Sequence, residues 1–470
     1  MLPTIPLNIF SKLNSKDIQR PFLFGICGSG MAPLANILFG KNLPVSGYDK
    51  NSNSKTFQDL SSKGAKLYRT WDQIPVRDFD AFVLSSAFLK PGNKILEFCK
   101  LQNLPIFHRS EVLHSVVDVQ NCISVAGSHG KTTTTAMTAQ ILMESGLRPT
   151  VYIGGETKLL GGIGGLYQDS EYAVYESDES DGTFLNHDAT IKILTNVDDD
   201  HLDFYLSREK LFDAFRKYAT PKEKGISILC IDDSNVVEIY RSLNAKQIYT
   251  YGKEELDNSE NHLRYEFAKI SKLCWKNQTY SFHFEFPGVH YLQNSCAAIL
   301  AGIHLGLEIH QCIRILENYV GVSRRLESIG SWDSIEIFDD YGHHPTEIQF
   351  VVSGLRKKYP TKKILVLFQP HRYTRTKNLY KELAHSLTDA SHVFLIPIYS
   401  AGEEAISGVT SSLILEELQR LQFPNCHLLS NDTLEFLEAM RSFRATPSIL
   451  LTIGAGNVRE WGEFLLNSID

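Results

Sequence analysis

An apolar run leads directly into GSHGKTTTT at residues 127–135. A strand that passes through a tight glycine turn into a helix collects backbone N–H groups at one point, where they bind phosphate. The common phosphate-loop fingerprint is G-x-x-x-x-G-K-[ST], but Val125 stands at its first glycine. The stretch is therefore either a contracted phosphate loop or a glycine turn capped by threonines. Four consecutive β-branched threonines are poor helix formers, which favours the phosphate loop.

The phosphate-loop interpretation gives each polar residue of the stretch a role. Lys131 would reach the β- and γ-phosphates of a nucleotide, and the Thr132 hydroxyl would ligate Mg²⁺. The predicted nucleotide-binding residues of the loop are Gly127, Ser128, His129, Gly130, Lys131, Thr132 and Thr133.

Acidic sequences follow two apolar strands downstream of the loop. YAVYE runs into SDESD, and IKILTNV runs into DDDH. One such run is typical of a solvated loop, but two runs after buried strands favour a metal site. Oxygen ligands suit Mg²⁺, and imidazole is a weaker choice. The predicted metal ligands are Thr132, Glu176 and His201.

Apolar runs alternate with helical patterns through nearly the whole chain, which predicts α/β architecture with parallel sheets. At about 100–200 residues per domain, 470 residues predict three domains. We expect a Rossmann-like domain at 1–115, a P-loop ATPase-type domain at 116–321 and a Rossmann-like domain at 322–470. Within the second, QIYTYG and TYSFHFEF alternate in polarity and predict antiparallel strands.

Composition excludes several classes of protein. The net charge of −7 argues against a nucleic-acid partner. The eight scattered cysteines, without a C-x-x-C pair, argue against a disulfide framework or a zinc knuckle. No apolar run approaches the ~18 residues of a membrane span, and the first 20 residues lack the pattern of a signal peptide. We therefore expect a cytoplasmic protein with reduced thiols and no membrane insertion.

A second glycine-rich turn, GICGSGM, lies at residues 25–31 after the apolar run PFLF. Gly28 and Gly30 match the start of G-x-G-x-x-G, but Pro33 stands at its third glycine. Asp49 lies near the distance of about 20 residues expected of a ribose-binding acid. The turn is consistent with an NAD site, or with the diphosphate of another nucleotide.

Polar residues also follow four apolar strands of the last domain, where ligands bind in open α/β sheets. Arg372 and Arg375 in HRYTR could clamp a carboxylate between two guanidiniums. His343 and His344 in DDYGHHP follow what we expect to be a neighbouring strand.

Taken together, these motifs resemble the Mur ligase family of ATP-dependent amide-forming enzymes. The resemblance covers nearly the whole chain, and the family's own phosphate loop has the contracted form G-x-x-G-K-T. The motifs that carry it, in the family's order, are GSHGKTTTT, ESDESDGTFL, LTNVDDDHLDFY, GVSRRLESIG, DDYGHHPTEI, FQPHRYTRT, YSAGE and GAGN.

The resemblance implies that ATP phosphorylates the lactyl carboxylate of UDP-N-acetylmuramate. L-Alanine then attacks the acyl phosphate, and phosphate leaves, in peptidoglycan precursor synthesis. It implies ATP and two Mg²⁺ ions as cofactors, one ion at Thr132 and Glu176 and the other at His201. The residues matching catalytic positions are Lys131, His201, Arg325 and His344, and those matching further ATP contacts are His290 and Asn294 beside the adenine, Arg325 at a phosphate and Asp340 at the ribose.

The small-molecule substrates have matching residues as well. Those matching the UDP-substrate site are Gly28, Ser29, Gly30, Met31, Asp49, Ser85 and Ser86, and those matching the alanine site are His344, Arg372 and Arg375. Tyr291 replaces a family asparagine. A cysteine in the N-terminal turn also occurs in the family's tripeptide ligase of cell-wall recycling, and that activity is the alternative function for this chain. FQPHRYTRT and YSAGE favour the alanine-adding members. An NAD-dependent oxidoreductase and a nucleotide-binding regulator without turnover are the hypotheses from other classes.

Overall fold

The computed structural model describes residues 17–90, 92–102, 104–243, 245–256 and 260–468. The segment on which the prediction of no signal peptide rests lies mostly outside these residues. Within them, no helix is long and apolar enough to cross a membrane. The eight cysteines are free thiols, as their scattered spacing predicts.

The first sheet has five parallel strands in the order β3-β2-β1-β4-β5. β1 and β4 are buried on both faces, which explains their uninterrupted apolar sequences. This strand order is Rossmann-like and places a ligand crevice beyond the carboxyl end of β1. The elements are β1 (Pro21–Phe24), α1 (Met31–Gly40), β2 (Ser46–Tyr48), α2 (Lys55–Ser62), β3 (Lys66–Tyr68), β4 (Ala81–Leu84), α3 (Lys94–Leu101), β5 (Ile106–His108) and α4 (Arg109–Val117).

The second sheet has ten strands in the order β15-β14-β13-β12-β11-β10-β6-β9-β7-β8. Its central strands are parallel, and β8, β14 and β15 are antiparallel to a neighbour. The strands are β6 (Asn121–Ala126), β7 (Thr150–Thr157), β8 (Gly162–Leu166), β9 (Tyr172–Glu176), β10 (Ile191–Leu194), β11 (Ile226–Cys230), β12 (Ile248–Gly252), β13 (His262–Glu266), β14 (Ser271–Trp275) and β15 (Gln278–Phe282). The helices are α5 (Lys131–Glu144), α6 (Leu202–Tyr205), α7 (Arg208–Ala219), α8 (Ser234–Arg241), α9 (Val289–His304) and α10 (Ile309–Glu317).

One strand direction in this sheet differs from the sequence prediction. QIYTYG forms β12, which pairs in parallel with β11 and β13, so the prediction of an antiparallel strand there is wrong. The helix α8 lies between β11 and β12 and supplies the crossover that parallel pairing needs. TYSFHFEF forms β15, which is antiparallel to β14 as predicted. Alternating polarity therefore does not specify the direction of a strand, and β12 is almost entirely buried.

The third sheet has six strands in the order β16-β17-β21-β18-β19-β20, and all its pairs except β16–β17 are parallel. The strands are β16 (Glu327–Trp332), β17 (Ile335–Asp340), β18 (Lys363–Phe368), β19 (His392–Leu395), β20 (Cys426–Leu428) and β21 (Ser448–Ile453). The helices are α11 (Pro345–Lys358), α12 (Tyr373–Ser386), α13 (Ser412–Arg420), α14 (Thr433–Arg441) and α15 (Arg459–Asn467).

The chain divides into two compact units. The first contains the first two sheets and comprises the residues up to Phe284 together with Leu292–Gly321. The second contains the third sheet and comprises Glu285–Tyr291 and the residues from Val322 onward. Inside the first unit, a single apolar core joins α1 and α4 to β7, β8 and β9. Because this core is shared, polar groups of the first two sheets are held at fixed distances from one another.

Candidate active site

The glycine turn at residues 127–130 connects the buried strand β6 to the start of α5. Gly127 and Gly130 have φ values of 135° and 82°, in the left-handed region that favours glycine. A Cβ on Gly127 would lie 2.1 Å from Thr195 Oγ1, and a Cβ on Gly130 would lie 2.7 Å from Asn294 Oδ1. The backbone therefore requires both glycines, and Asn294 of α9 borders the loop.

The ammonium of Lys131 lies over this turn. Its Nζ donates to the carbonyl oxygens of Gly127 at 2.6 Å and Ser128 at 3.1 Å, and to Glu179 Oε1 at 2.9 Å. Burial alone would lower the pKa of Lys131, but the nearby carboxylates, first of all Glu179, raise it. A charged lysine is thus held at the mouth of the loop. Sequence reasoning did not single out Glu179, although it lies inside the acidic run ESDESD.

Thr132 and Glu176 meet beside the lysine. Thr132 Oγ1 donates to Glu176 Oε1 at 2.9 Å, while Glu176 Oε2 accepts from the backbone N–H of Gly154 at 2.9 Å. Glu176 is the last residue of β9, which pairs directly with β6. The parallel pairing therefore brings the end of one strand and the loop after its neighbour to the same point, as predicted.

His201 lies near the same carboxylate oxygen of Glu179 that Lys131 contacts. It precedes the short helix α6 with a φ of 58°, and its Nε2 is 3.8 Å from Glu179 Oε1 and 3.7 Å from Asp200 Oδ2. Glu179 Oε2 is buried and has no hydrogen-bond partner among the described residues. Hydroxyl, carboxylate and imidazole groups thus converge here, a donor set that fits Mg²⁺ with retained waters.

The loop after β10 is hydrogen-bonded to the glycine turn at residues 127–130. The backbone N–H of His129 donates to Asn196 Oδ1 at 2.8 Å, and its imidazole Nε2 lies 3.2 Å from Asp198 Oδ2. The backbone N–H of Asp198 donates to Ser128 Oγ at 2.8 Å. Ser128 and His129 therefore anchor the DDDH segment, and Asp198 and Asn196 are further site residues that sequence reasoning missed.

The N-terminal glycine turn is held by Asp49. Its two carboxylate oxygens accept from the backbone N–H groups of Cys27 and Asn51, both at 2.9 Å. Gly28 and Ser29 of the turn are exposed, whereas the Met31 side chain is buried in α1. The exposed backbone of the turn lies beyond the carboxyl end of β1, where a ligand is expected.

Ser85 and Ser86 follow β4 at the same edge of the first sheet. Ser86 Oγ hydrogen-bonds with His108 Nε2 at 2.9 Å and donates to the carboxylate of Asp181. Burial lowers the pKa of His108 to about 4, against the attraction of Asp181. Ser86 is thus fixed between the first sheet and the acidic run that follows β9.

In the second unit, the predicted carboxylate clamp lies at the carboxyl end of β18. The Arg372 side chain is exposed, its φ is 69°, and its backbone N–H donates to the Tyr399 carbonyl at 2.8 Å. The rings of His343 and His371 are 5.4 Å apart. Sequence reasoning placed His343 after a strand neighbouring β18, but β21 lies between β17 and β18. The loops after the two strands nevertheless meet, because the sheet's carboxyl ends share one edge.

The remaining predicted residues of this unit lie around Tyr341. The guanidinium of Arg325 is 5.2 Å from its ring centroid. Asp340 accepts from the backbone N–H groups of Gly342 at 2.7 Å and Leu326 at 2.8 Å, and burial raises its pKa to about 6. His344 is the N-cap residue of α11.

His290 lies in the first turn of α9. Its ring stacks on Phe350 at 5.5 Å between centroids, and burial lowers its pKa to about 4. The Tyr291 hydroxyl, at the position of a family asparagine, donates to the Arg325 carbonyl at 3.1 Å. The Tyr291 side chain therefore hydrogen-bonds to the backbone of Arg325.

Comparison with known families accounts for almost the entire chain. The Mur ligase family, catalytic domain, matches residues 23–120. The Mur ligase middle domain matches residues 125–302, and the Mur ligase, glutamate ligase domain, matches residues 324–456.

Relatives and solved structures agree with these matches. A UDP-N-acetylmuramate–L-alanine ligase of Dictyoglomus turgidum is 39% identical over 459 residues, which is 97% of each chain. That of Aquifex aeolicus is 35% identical, over 96% of this chain and 98% of the relative. The crystal structure of a UDP-N-acetylmuramate-alanine ligase from Thermotoga maritima has a TM-score of 0.79 at 22% identity, and covers 95% of this chain and 98% of that one. A murein peptide ligase from Psychrobacter arcticus has a TM-score of 0.68 at 22% identity, with 96% and 99% covered. The chain therefore belongs to the Mur ligase family.

Proposed function

We propose that this protein joins L-alanine to the lactyl carboxylate of UDP-N-acetylmuramate, with conversion of ATP to ADP and phosphate, in peptidoglycan precursor synthesis. The observation that carries the proposal is the convergence of Lys131, Thr132 and Glu176 on a contracted phosphate loop. Curated alanine-adding relatives at 39% and 35% identity, matched over nearly their full length, support the choice of substrates.

The phosphates of ATP would bind to the loop at residues 127–133. Lys131 donates to two loop carbonyls and to Glu179, and a phosphate oxygen would replace some of these acceptors. Phosphoryl transfer depends mainly on positioning and on neutralising charge. A buried, charged lysine supplies both as the γ-phosphoryl group moves to the lactyl carboxylate and forms an acyl phosphate.

Two Mg²⁺ ions are part of the proposal. Thr132 and Glu176 would hold one, and His201 would hold the second with Glu179 beside it. Magnesium bound there would neutralise charge on the phosphate oxygens. The buried, unpartnered Oε2 of Glu179 supports an additional oxygen donor at this point.

The UDP end of the first substrate is assigned to residues 1–115. Gly28, Ser29 and Gly30 form the turn at the carboxyl end of β1, and Met31 begins the helix behind them. The backbone N–H of Gly28 donates to the Gly25 carbonyl at 2.9 Å, so Ser29 and Gly30 would offer theirs to the ligand. Asp49 holds this turn through two backbone hydrogen bonds. Ser85 and Ser86 complete the assignment at the end of β4. Residues 116–321 are assigned to ATP and residues 322–470 to the amino acid.

L-Alanine is assigned to the carboxyl end of the third sheet. Arg372 and Arg375 would bind its carboxylate bidentately, and His344 would lie beside its amine. For ATP, we retain Arg325 at a phosphate, Asp340 at the ribose, and His290 and Asn294 at the adenine. Because ATP and a UDP-sugar are the substrates, we propose that the reaction takes place in the cytoplasm.

The test is phosphate release from ATP with UDP-N-acetylmuramate, with L-alanine, L-serine, glycine or the murein tripeptide added separately. We expect release with L-alanine. Release with the tripeptide alone would assign the chain to cell-wall recycling instead. No release with any acceptor, combined with a nicotinamide absorbance change, would indicate an oxidoreductase and overturn the proposal.

A further inference from the structure

The acidic run after β9 has two sides. Glu176 and Glu179 contact Thr132 and Lys131 of the phosphate loop. Asp178 and Asp181 contact residues of the first sheet and its helices. Within each pair the acids are three residues apart, so alternate carboxylates of one short segment serve two different substrate sites.

Arg109 is the first-sheet residue that contacts Asp178. It is the first residue of α4, and its side chain is only 14% exposed. One guanidinium nitrogen donates to Asp178 Oδ2 at 2.8 Å, and the other donates to the Tyr152 hydroxyl at 2.9 Å. The Tyr152 hydroxyl in turn donates to the Gly30 carbonyl at 2.9 Å. A continuous path of hydrogen bonds therefore joins the N-terminal glycine turn to the acidic run.

Close packing around Gly30 leaves little room for a side chain at this position. A Cβ at this position would lie 2.9 Å from the Arg109 guanidinium and 3.0 Å from the Tyr152 hydroxyl. The turn thus lies directly against Arg109 and Tyr152. Any movement of the turn on binding a diphosphate would therefore displace the Arg109 guanidinium.

We propose that Arg109 is a positioning residue for the ligase reaction: it fixes the glycine turn of the UDP-substrate site against the acidic segment of the ATP site, so that binding of one substrate favours binding of the other. The planar guanidinium suits this role because its fork donates in two fixed directions at once. Asp178 is adjacent in sequence to Glu179, which holds Lys131. This inference rests on the proposed function of the two sites.

The experiment measures the affinity for UDP-N-acetylmuramate by calorimetry, with and without a non-hydrolysable ATP analogue and Mg²⁺. In the wild-type protein we expect the analogue to tighten binding by about tenfold, within the usual range of coupling between sites. In Arg109→Lys the ratio should fall to near one, and the KM for UDP-N-acetylmuramate should rise about tenfold while that for L-alanine stays unchanged. Tyr152→Phe should lose part of the coupling, because it severs the link to Gly30 but keeps Asp178.

The matched control is Arg148→Lys, since Arg148 forms an exposed hydrogen-bonded pair with Gln168 in the loop before β7. A purely structural role would lower the melting temperature of Arg109→Lys but leave the affinity ratio at its wild-type value. That result, or wild-type coupling in Tyr152→Phe, would overturn the inference, as would a wild-type ratio of one. Failure of the proposed function is distinct: the wild-type protein would then release no phosphate at all.

Discussion

The carboxyl ends of the second and third sheets differ in how their charges are arranged. At the second sheet, opposite charges are already paired: Lys131 lies 2.9 Å from Glu179. At the third sheet, burial lowers the pKa of His371, and the nearby His343, Arg375 and Arg372 lower it further. The first arrangement is a paired end, pre-organised by its own carboxylates, whereas the second is a cationic end with two arginines beside two imidazoles.

This difference affects how a ligand would bind at each of the two sites. At the phosphate loop, a ligand must replace contacts that the protein already makes, so binding exchanges one set of hydrogen bonds for another. At the arginines, a carboxylate ligand would bind the guanidinium groups through charge-assisted hydrogen bonds. Substitutions at the two ends should therefore affect different kinetic parameters.

The largest effect is expected at the paired end. Lys131→Ala removes the charge that we propose faces the transferred phosphoryl group, and we expect kcat to fall by at least about 10²–10³-fold. Phosphate release with saturating substrates measures it, and the melting temperature checks the fold. Lys272→Ala, which removes an exposed lysine paired with Glu266, is the matched control and should behave as wild type. Near-full activity of Lys131→Ala would refute the phosphate-loop assignment.

The next effect is expected at the cationic end. Arg372→Lys keeps the charge but removes the bidentate fork, so the KM for L-alanine should rise about 10-fold or more, equivalent to about 1.4 kcal/mol. The KM for ATP should not change. Initial-rate kinetics with each substrate varied in turn separates the two parameters. An increase in the KM for ATP instead would assign this arginine to the nucleotide.

A smaller effect is expected from Glu179→Gln, which tests whether the paired end depends on its own carboxylate. The substitution keeps the shape of the side chain but leaves Lys131 without its closest opposite charge. We expect kcat to fall by about tenfold, a typical result for one charged hydrogen bond, and the Mg²⁺ requirement to rise. Titration with Mg²⁺ at fixed ATP measures the second change. An unaltered Mg²⁺ dependence would separate Glu179 from the metal site.

The smallest effect concerns stability at the cationic end. Burial, His343 and the two arginines lower the pKa of His371 to about 3, whereas an unfolded histidine titrates near 6.5. Between these values the unfolded state binds a proton that the folded state does not, so the free energy of unfolding falls as pH falls from about 6.5 to 3. His371→Gln should reduce this slope in denaturant titrations repeated across the range. A steeper slope in the variant would contradict the assignment.

Much of the fold could be read from the sequence because strand and helix formation are local. The strands β6 and β9 consist mainly of buried apolar residues, and polar residues follow directly at their carboxyl ends. The direction of β12 could not be predicted, since alternating polarity does not specify direction and parallel pairing depends on the α8 crossover. The insertion of β21 between β17 and β18 was also hidden, because β21 comes from the end of the chain.

The residues of the candidate site likewise fall into those that the sequence identified and those that it did not. Lys131, Thr132 and Glu176 could be identified from a strand, a turn and their spacing. Glu179 and Arg109 could not, because their roles depend on which group each side chain faces after packing. The charge of a residue in ESDESD is visible in the sequence, but its partner is not.

The sequence by itself determined the family, the three α/β regions and a phosphate loop that requires Gly127 and Gly130. Only the tertiary structure decided how the acidic run is shared, with Glu176 and Glu179 facing the phosphate loop and Asp178 and Asp181 facing the first sheet. The physical reason is that backbone propensities act over a few residues, whereas an ion pair forms between groups that folding brings together from distant parts of the chain.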